Sequence, residues 1–305
     1  MKSLTHSSWK NKPIDSKASI AMIEKIYEAL QRASSLLEEK GLEANMAPIL
    51  MEFITNKNRA SLLADLREPL TDEQRKAFWN KTGELLEGKP VQYVIGIEYF
   101  YGYPFKVDEN VLIPRPETEE LVYGAIERSR NLFHNKAIRV ADIGTGSGAI
   151  AVSFKKEWPE ANVTATDISK DALCVAMQNA ETNEADIHFR QGDLAAPIAN
   201  EKWDVILSNP PYIAHEEAVQ MSATVLDHEP HSALFADEDG LFFYRKLAET
   251  LPLLMNRPSL IGVEIGYLQG QAVHKLFQEA FPQATVETVK DINGKDRMIY
   301  CKIYE

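Results

Sequence analysis

The chain has 305 residues, enough for about two ordinary domains. Hydrophobic residues make up 45% and charged residues 26%, which excludes a mainly disordered, collagen-like or disulfide-stapled chain. Thirty-three Lys and Arg against 45 Asp and Glu give a formal charge of −12. That acidity works against non-specific binding to nucleic acid or to an acidic membrane surface.

The N-terminus is polar, Met1-Lys2-Ser3-Leu4-Thr5-His6, with no apolar run behind it, so no signal peptide is expected. No stretch approaches the roughly 20 apolar residues of a membrane span, and the expected location is the cytoplasm. The two cysteines, Cys174 and Cys301, form no CxxC pair, so neither a disulfide framework nor a zinc knuckle is expected. Cys174 falls in a predicted helix and reads as a small core residue rather than a nucleophile.

The first part of the chain reads as helical. Ile20, Ile23, Ile26, Tyr27, Leu30 and Leu37 recur at helical spacing and Gly41 follows as a stop. A second apolar helix is predicted over 47–55. Thr71-Asp72-Glu73-Gln74 has the form of a capping box and opens a helix running to about Leu86. Residues 1–88 therefore read as a small helical domain, without a catalytic cluster and suited to docking a partner. Over 91–113, Val91, Tyr93, Val94, Tyr99, Phe105 and other β-branched and aromatic residues predict a β-hairpin, with Gly102 as a turn and residues 89–113 as the linker between domains. Its aromatics read as ordinary strand packing rather than as a platform for stacked bases.

Residues 114–305 form the second predicted domain. Strands are predicted at Arg139–Ile143, Asn162–Asp167, Ile187–Gln191, Trp203–Ser208 and 259–265, with helices at 148–158, 170–181, 240–255 and 269–281. The alternation implies an α/β fold with a mainly parallel sheet covered on both faces. Two last strands, 285–289 and 297–303, are joined by too short a segment for a crossover, so they are expected to form an antiparallel C-terminal hairpin.

Two constellations carry chemistry. Asp142-Ile143-Gly144-Thr145-Gly146-Ser147-Gly148 follows the first of these strands and opens a helix. Glycines there permit a tight turn and let backbone N–H groups approach a ligand. Asp167 ends the next strand, where an acid can accept from both ribose hydroxyls, and Gly192-Asp193 ends the third. This context points to an adenosine-containing ligand, but the loop alone does not separate NAD from S-adenosylmethionine. The second constellation, Ser208-Asn209-Pro210-Pro211-Tyr212, ends the fourth strand. The two prolines fix the backbone and remove two donors. The carbonyls of Asn209 and Pro210 and the Asn209 side chain are left to accept, which suits a planar –NH2 group. Tyr212 adds an aromatic face.

The second constellation resembles the Asn-Pro-Pro-Tyr motif of class I S-adenosylmethionine-dependent methyltransferases acting on amide or exocyclic amino nitrogens. Taken with Leu112-Ile113-Pro114-Arg115-Pro116-Glu117-Thr118-Glu119, the 142–148 loop, Glu229-Pro230, Ala233-Leu234, Glu264-Ile265-Gly266 and Gln269, the chain resembles the bacterial peptide chain release factor glutamine N5-methyltransferases over nearly its whole length. The resemblance implies a class I, Rossmann-like methyltransferase domain and a protein substrate. It implies methyl transfer from S-adenosylmethionine to the side-chain amide nitrogen of the glutamine in the Gly-Gly-Gln loop of release factors, in translation termination. By the same resemblance Gly144, Thr145, Gly146, Ser147 and Gly148 would wrap the methionine and ribose, and Asp167 would hold the ribose hydroxyls. Asp193 and Leu194 would border the adenine, with Asn209 bordering the same site. Asn209 and Pro210 would be catalytic, and Asn209, Pro210, Pro211 and Tyr212 would hold the glutamine. The helical domain and hairpin would help dock the release factor. Leu194 departs from the aromatic common at its position, and Arg257-Pro258-Ser259 replaces a Gly-rich turn.

The alternative substrate is a nucleic-acid base, at adenine N6 or guanine N2, which needs a basic groove that the net charge disfavours. A nicotinamide dehydrogenase leaves 209–212 unexplained, and a non-catalytic binding protein needs only one of the two constellations. Asp227-His228-Glu229-Pro230-His231 with His215 matches no metal-site spacing, so no metal is expected and the segment reads as a loop flanking the cleft. Arg115, Glu117 and Glu119 either cap a helix or line the cleft, and the resemblance favours the cleft.

Overall fold

The computed structural model describes residues 24–134 and 136–304; the polar N-terminus and the predicted helix positions Ile20 and Ile23 lie outside the described residues. The chain divides into two compact units, residues 1–82 and 83–305.

In the first unit, α1 (Ile26–Glu39) buries Ile26, Ala29, Ala33 and Leu37, one stripe at three- and four-residue spacing. It meets α2 (Met46–Thr55), which buries Leu50 and Met51. A short α3 (Arg59–Ala64), not expected from the sequence, opens on Asn58, whose side chain accepts from the Ser61 amide at 2.9 Å. The capping box of α4 (Asp72–Leu86) is formed in both directions: Gln74 N donates to Thr71 Oγ1 and Thr71 N donates to Gln74 Oε1, each at 3.1 Å.

The second unit corrects the expectation for residues 91–113. Val91–Ile95 is a short helix, α5, ended by Gly96 in the left-handed region. The hairpin is confined to β1 (Ile97–Phe100) and β2 (Tyr103–Lys106). The β-branched and aromatic residues of α5 adopt helix because their burial outweighs their intrinsic strand preference: Val91, Tyr93 and Val94 are all buried. Tyr101 and Gly102 both have positive φ, which fits a two-residue hairpin turn. Phe100 and Phe105 sink into the main core.

Among the described residues the main sheet has seven strands. After α6 (Pro116–Phe133) come β3 (Arg139–Ile143), α7 (Ala149–Glu157), β4 (Asn162–Asp167), α8 (Lys170–Thr182), β5 (Ile187–Gln191) and β6 (Trp203–Ser208). They are followed by α9 (Ala223–His228), α10 (Phe242–Thr250), β7 (Met255–Glu264), α11 (Gly270–Ala280), β8 (Thr285–Lys290) and β9 (Asp296–Ile303). Their order is β5-β4-β3-β6-β7-β9-β8. The first five strands are parallel; β9 runs antiparallel between β7 and β8. Both faces are apolar. Val140, Val163, Val205 and Leu207 face one core, and Ala141, Ile143, Ile206 and Val263 face the other, as a sheet covered on both sides requires.

Two expectations shift. Helix 240–255 ends at Thr250 in α10, and a short turn through Pro252 leads into β7. Arg257-Pro258-Ser259 is not a turn before the strand but lies within β7. The ladder with β6 skips register between Trp203 and Val205, which accommodates a proline that cannot donate.

Cys174 is exposed, not a core residue. It sits on the outer face of α8, whose Leu173, Val175 and Ala176 turn inward. Cys301 is buried in β9. No described helix is long and apolar enough to cross a membrane.

Candidate active site

The chain runs outward from β3 through β4 to β5 and then returns to β6 on the other side of β3. In an open sheet this reversal leaves a crevice beyond the carboxyl ends of the strands. Ile143 and Ser208 are register partners in β3 and β6, and the Ser208 hydroxyl donates to the Ile143 carbonyl at 2.7 Å. The glycine loop and Asn209 therefore leave the sheet side by side.

The loop is built by the backbone. The Gly144 and Thr145 amides donate to the Thr166 carbonyl, each at 2.9 Å. Gly144, Gly146 and Gly148 all have positive φ, a conformation that glycine enters without steric penalty. Asp167 ends β4 beside the loop. Its Oδ2 accepts from the Gly146 amide and its Oδ1 from the Ser169 amide, each at 2.9 Å. Burial raises the Asp167 pKa, and those amides oppose the rise. Asp142 is fully buried below the loop and accepts from the Thr145 hydroxyl at 2.5 Å. Burial pushes its pKa up to about 7.

The predicted residues converge. One cleft is lined by Gly144, Thr145, Gly146 and Ser147, by Asp167, by Asp193 and Leu194, and by Asn209, Pro210 and Pro211. Gly148 stands just behind it as the N-cap of α7. Tyr212 lines a smaller adjoining cavity shared by Asn209, Arg115 and Glu264. Asp193 is exposed and Leu194 half-buried. The exposed, apolar Ile168 joins them in the cleft wall.

Of the three charged residues in the Leu112–Glu119 stretch, Arg115 lines the cleft and the two acids do not. Glu117 and Glu119 lie in the first turn of α6, where negative charge suits the helix dipole. Glu119 also accepts from the Tyr101 amide at 2.7 Å, which fastens the hairpin. Arg115 is bound to Glu229 at 2.5 Å, and that carboxylate is buried. His231 contacts the Leu226 carbonyl at 2.7 Å, and His215 stacks on Phe235. Among the described residues no group of three or more His, Cys, Asp or Glu is placed to hold a metal ion.

Several residues of the site carry no role legible in the sequence. Glu264, the last residue of β7, is buried and accepts from the Thr118 hydroxyl at 2.6 Å and from the Tyr212 hydroxyl at 3.3 Å. Thr118 accepts in turn from Asn209 Nδ2 at 3.1 Å. Tyr244 donates to the Glu264 carbonyl at 2.8 Å. Gln269 donates to the Tyr212 carbonyl and accepts from the Gly266 amide, each at 2.9 Å. Of these residues Tyr244 alone lies outside the sequence motifs; Thr118, Asn209, Tyr212, Glu264, Gly266 and Gln269 belong to them, but their mutual contacts span too many residues for spacing to reveal.

A glycine loop, an acid on the next strand and an Asn-Pro-Pro-Tyr turn at one sheet edge suit methyl transfer to nitrogen. Similarity to known proteins agrees. The family described as Methyltransferase small domain matches residues 129–237, and that described as PrmC N-terminal domain matches residues 28–96. The chain is 45% identical over 281 residues to a release factor glutamine methyltransferase of Bacillus cereus, covering 92% of this chain and 99% of that protein. It is 47% identical over 283 residues to the Bacillus subtilis protein of the same name, covering 92% and 98%. The chain belongs to the release factor glutamine methyltransferase family.

More distant solved structures share the fold. A crystal structure of a methyltransferase from Pyrococcus furiosus superposes with a TM-score of 0.52 at 16% identity, covering 74% of this chain and 99% of that one. The catalytic domain of hMettl16, solved in complex with the MAT2A 3'UTR hairpin 6, also superposes at 0.52, with 15% identity, covering 77% of this chain and 83% of that one. The fold therefore does not choose the substrate.

Proposed function

We propose that this chain transfers the methyl group of S-adenosylmethionine to the side-chain amide nitrogen of a glutamine, the one in the Gly-Gly-Gln loop of peptide chain release factors. The observation that carries the reading is the adjacency of two turns in a chain of this family: Asn209-Pro210 leaves β6 beside the point where Gly144 leaves β3.

The cleft fits the cofactor. Asp167 retains lone pairs for ribose hydroxyls beyond the two amides it accepts. Ile168 and Leu194 offer apolar surface for the adenine, with Asp193 at the rim. The positive-φ glycines bring backbone rather than side chains to the ligand. When bound, S-adenosylmethionine supplies a methyl group already activated on a sulfonium.

An amide nitrogen is a weak nucleophile because its lone pair is delocalised into the carbonyl. The Asn209 Oδ1 atom and the Pro210 carbonyl accept its two N–H groups, turn the nitrogen toward the donor and stabilise the positive charge growing on it. A C–N bond forms as the C–S bond breaks, and the nitrogen then releases one proton to water. No side chain is assigned as a base. Pro211 stiffens the turn and Tyr212 walls the glutamine side chain. We assign docking of the release factor to the helical region 1–88 and the hairpin of segment 89–113, with catalysis in 114–305. We place the reaction in the cytoplasm, with no stable binding to nucleic acid.

The deciding experiment incubates the enzyme and labelled S-adenosylmethionine with a release factor and with a copy whose Gly-Gly-Gln glutamine is alanine. Peptide mass spectrometry then locates the label. Label on that glutamine alone establishes reaction and substrate. Label on neither, with cofactor still bound, overturns the reading and leaves adenine N6 or guanine N2 of a nucleic acid as the next substrates to assay.

A further inference from the structure

We infer that Glu264 is a positioning residue for methyl transfer: acting through Thr118, its carboxylate fixes which end of the Asn209 amide faces the substrate. The inference rests on the role of Asn209 proposed above and adds what sets its polarity.

The argument is one of proton counting. Glu264 Oε2 and Thr118 Oγ1 are 2.6 Å apart, and Thr118 Oγ1 and Asn209 Nδ2 are 3.1 Å apart. An ionised carboxylate only accepts hydrogen bonds, whereas a threonine hydroxyl has one proton to donate and lone pairs to accept. With its proton committed to Glu264, Thr118 can only accept from Asn209. The Asn209 amide must then turn its NH2 toward Thr118 and keep its carbonyl oxygen for the substrate. Reversing the chain would present NH2 to the substrate, so that donor would meet donor. A chain of this polarity therefore selects a substrate that brings N–H groups, a primary amide, over a carboxylate that can only accept.

The placement is built from separate parts of the fold. Thr118 lies in the first turn of α6, Asn209 follows β6, and Glu264 ends β7. The second oxygen of Glu264 is held by the Tyr212 hydroxyl at 3.3 Å, so the same carboxylate braces both ends of the Asn209–Tyr212 turn. Burial raises the Glu264 pKa to about 7 and Glu117 adds to the rise, while Thr118, Arg297 and Tyr212 oppose it, so the chain holds this polarity in the ionised form, above that value. Thr118 and Glu264 are 5% and 1% exposed, and a buried carboxylate that serves only packing has a cheaper apolar replacement.

The test uses the full-length enzyme, a release factor and S-adenosylmethionine. Thr118→Val removes the relay and Thr118→Ser keeps it. We expect Thr118→Val to lose about 100-fold in kcat, as a misplaced reacting group does, with cofactor affinity within about twofold of wild type. Thr118→Ser should restore kcat to within about fivefold of wild type. Glu264→Gln, which can donate as well as accept, should fall by about 10-fold or more, and adding it to Thr118→Val should lower kcat little further, since one pathway cannot be broken twice. Equal kcat for Thr118→Ser and Thr118→Val, or wild-type kcat for Glu264→Gln, overturns the inference while leaving the proposed reaction standing. A wild-type enzyme that labels no release factor removes both. The Thr118 pair decides the matter even where Glu264→Gln does not fold.

Discussion

The Gly146 amide donates to Asp167 Oδ2 across 2.9 Å, joining the glycine loop to the acid at the end of the neighbouring strand. The carboxylate thus shapes the loop and, in the function proposed above, also offers its remaining lone pairs to the ribose. Asp167→Ala should weaken S-adenosylmethionine binding by about 10- to 100-fold, the range for losing hydrogen bonds to a charged group. Asp167→Asn keeps one acceptor oxygen and should fall between wild type and alanine. Titration calorimetry reads both. Wild-type affinity in Asp167→Ala would remove the ribose from this position.

Asn209→Ala isolates the chemical step. The Asn209 side chain reaches Thr118 and the cleft, so its loss should cost turnover far more than cofactor affinity. The expected drop in kcat is about 100- to 1,000-fold, as for other donors or acceptors aimed at developing charge. Equal losses of kcat and cofactor affinity would instead make Asn209 chiefly a cofactor contact. Single-turnover kinetics beside a binding titration separates the two.

The legible parts of this site are those in which the chemistry is written in consecutive residues. Gly144-Thr145-Gly146-Ser147-Gly148 and Asn209-Pro210-Pro211-Tyr212 each declare a backbone conformation through glycine or proline, and each stands at the strand end expected. The strand pattern was legible for the same reason: buried strands read as short apolar runs between turns. Glu264 and Thr118 were visible only as letters in motifs, because a bond between α6 and β7 leaves no local spacing to read. The 91–95 segment misleads because its valines and aromatics prefer strands, yet Pro90 and Gly96 bound a single helical turn whose burial decides the outcome. Cys174 misleads because composition does not say which face of α8 it occupies.

Arg115 and Glu229 form an ion pair with unequal sides: the arginine side chain is 34% exposed and the carboxylate side chain 1%. Glu229 also accepts from the Ile113 amide at 3.4 Å, which ties the 229–233 segment to the one before α6. Arg115→Ala strands a buried carboxylate and should destabilise by about 3 kcal/mol or more. Glu229→Gln leaves a guanidinium that water can still reach, so about 1 kcal/mol is expected. Urea unfolding of the two variants tests the asymmetry. Equal losses would mean that the buried end is not the costly one.

Gly240 holds the Asn209–Tyr212 turn from outside. Its φ is +79°, and a Cβ there would lie 2.1 Å from the Tyr212 carbonyl and 2.4 Å from Gln269 Nε2. Gln269 is the residue that donates to that carbonyl. Gly240→Ala must displace the backbone of the turn, so turnover should fall by about 10-fold or more while cofactor affinity changes little. The contact lies on the Tyr212 side, away from the glycine loop. Unchanged turnover in a folded Gly240→Ala enzyme would show that the turn tolerates displacement.

Two buried carboxylates make stability depend on pH in an unusual direction. Burial pushes Asp142 up to about 7 from an ordinary value of 3.8, and Glu264 up to about 7 from 4.5. Between those values the folded protein keeps protons that the unfolded chain has released. The stabilisation is therefore fully present below about pH 4 and is lost as the pH rises through about 7. Each group contributes a slope of at most about 1.4 kcal/mol per pH unit. Asp142→Asn and Glu264→Gln should each flatten the fall of the melting temperature between about pH 5 and pH 8. Glu264→Gln should also remove an acid limb from the kcat profile, because a protonated Glu264 can donate to Thr118 and reverse the chain that orients Asn209. The groups acting on that carboxyl are Thr118 and Glu117 of α6, Tyr212 after β6 and Arg297 of β9, with Tyr244 of α10 bonded to the backbone carbonyl of the same residue. Arg297 alone among them brings positive charge, so Arg297→Gln should move the acid limb to higher pH. An acid limb unmoved by Arg297→Gln and retained in Glu264→Gln would assign the titration to another group, with Asp142→Asn as the next variant to profile.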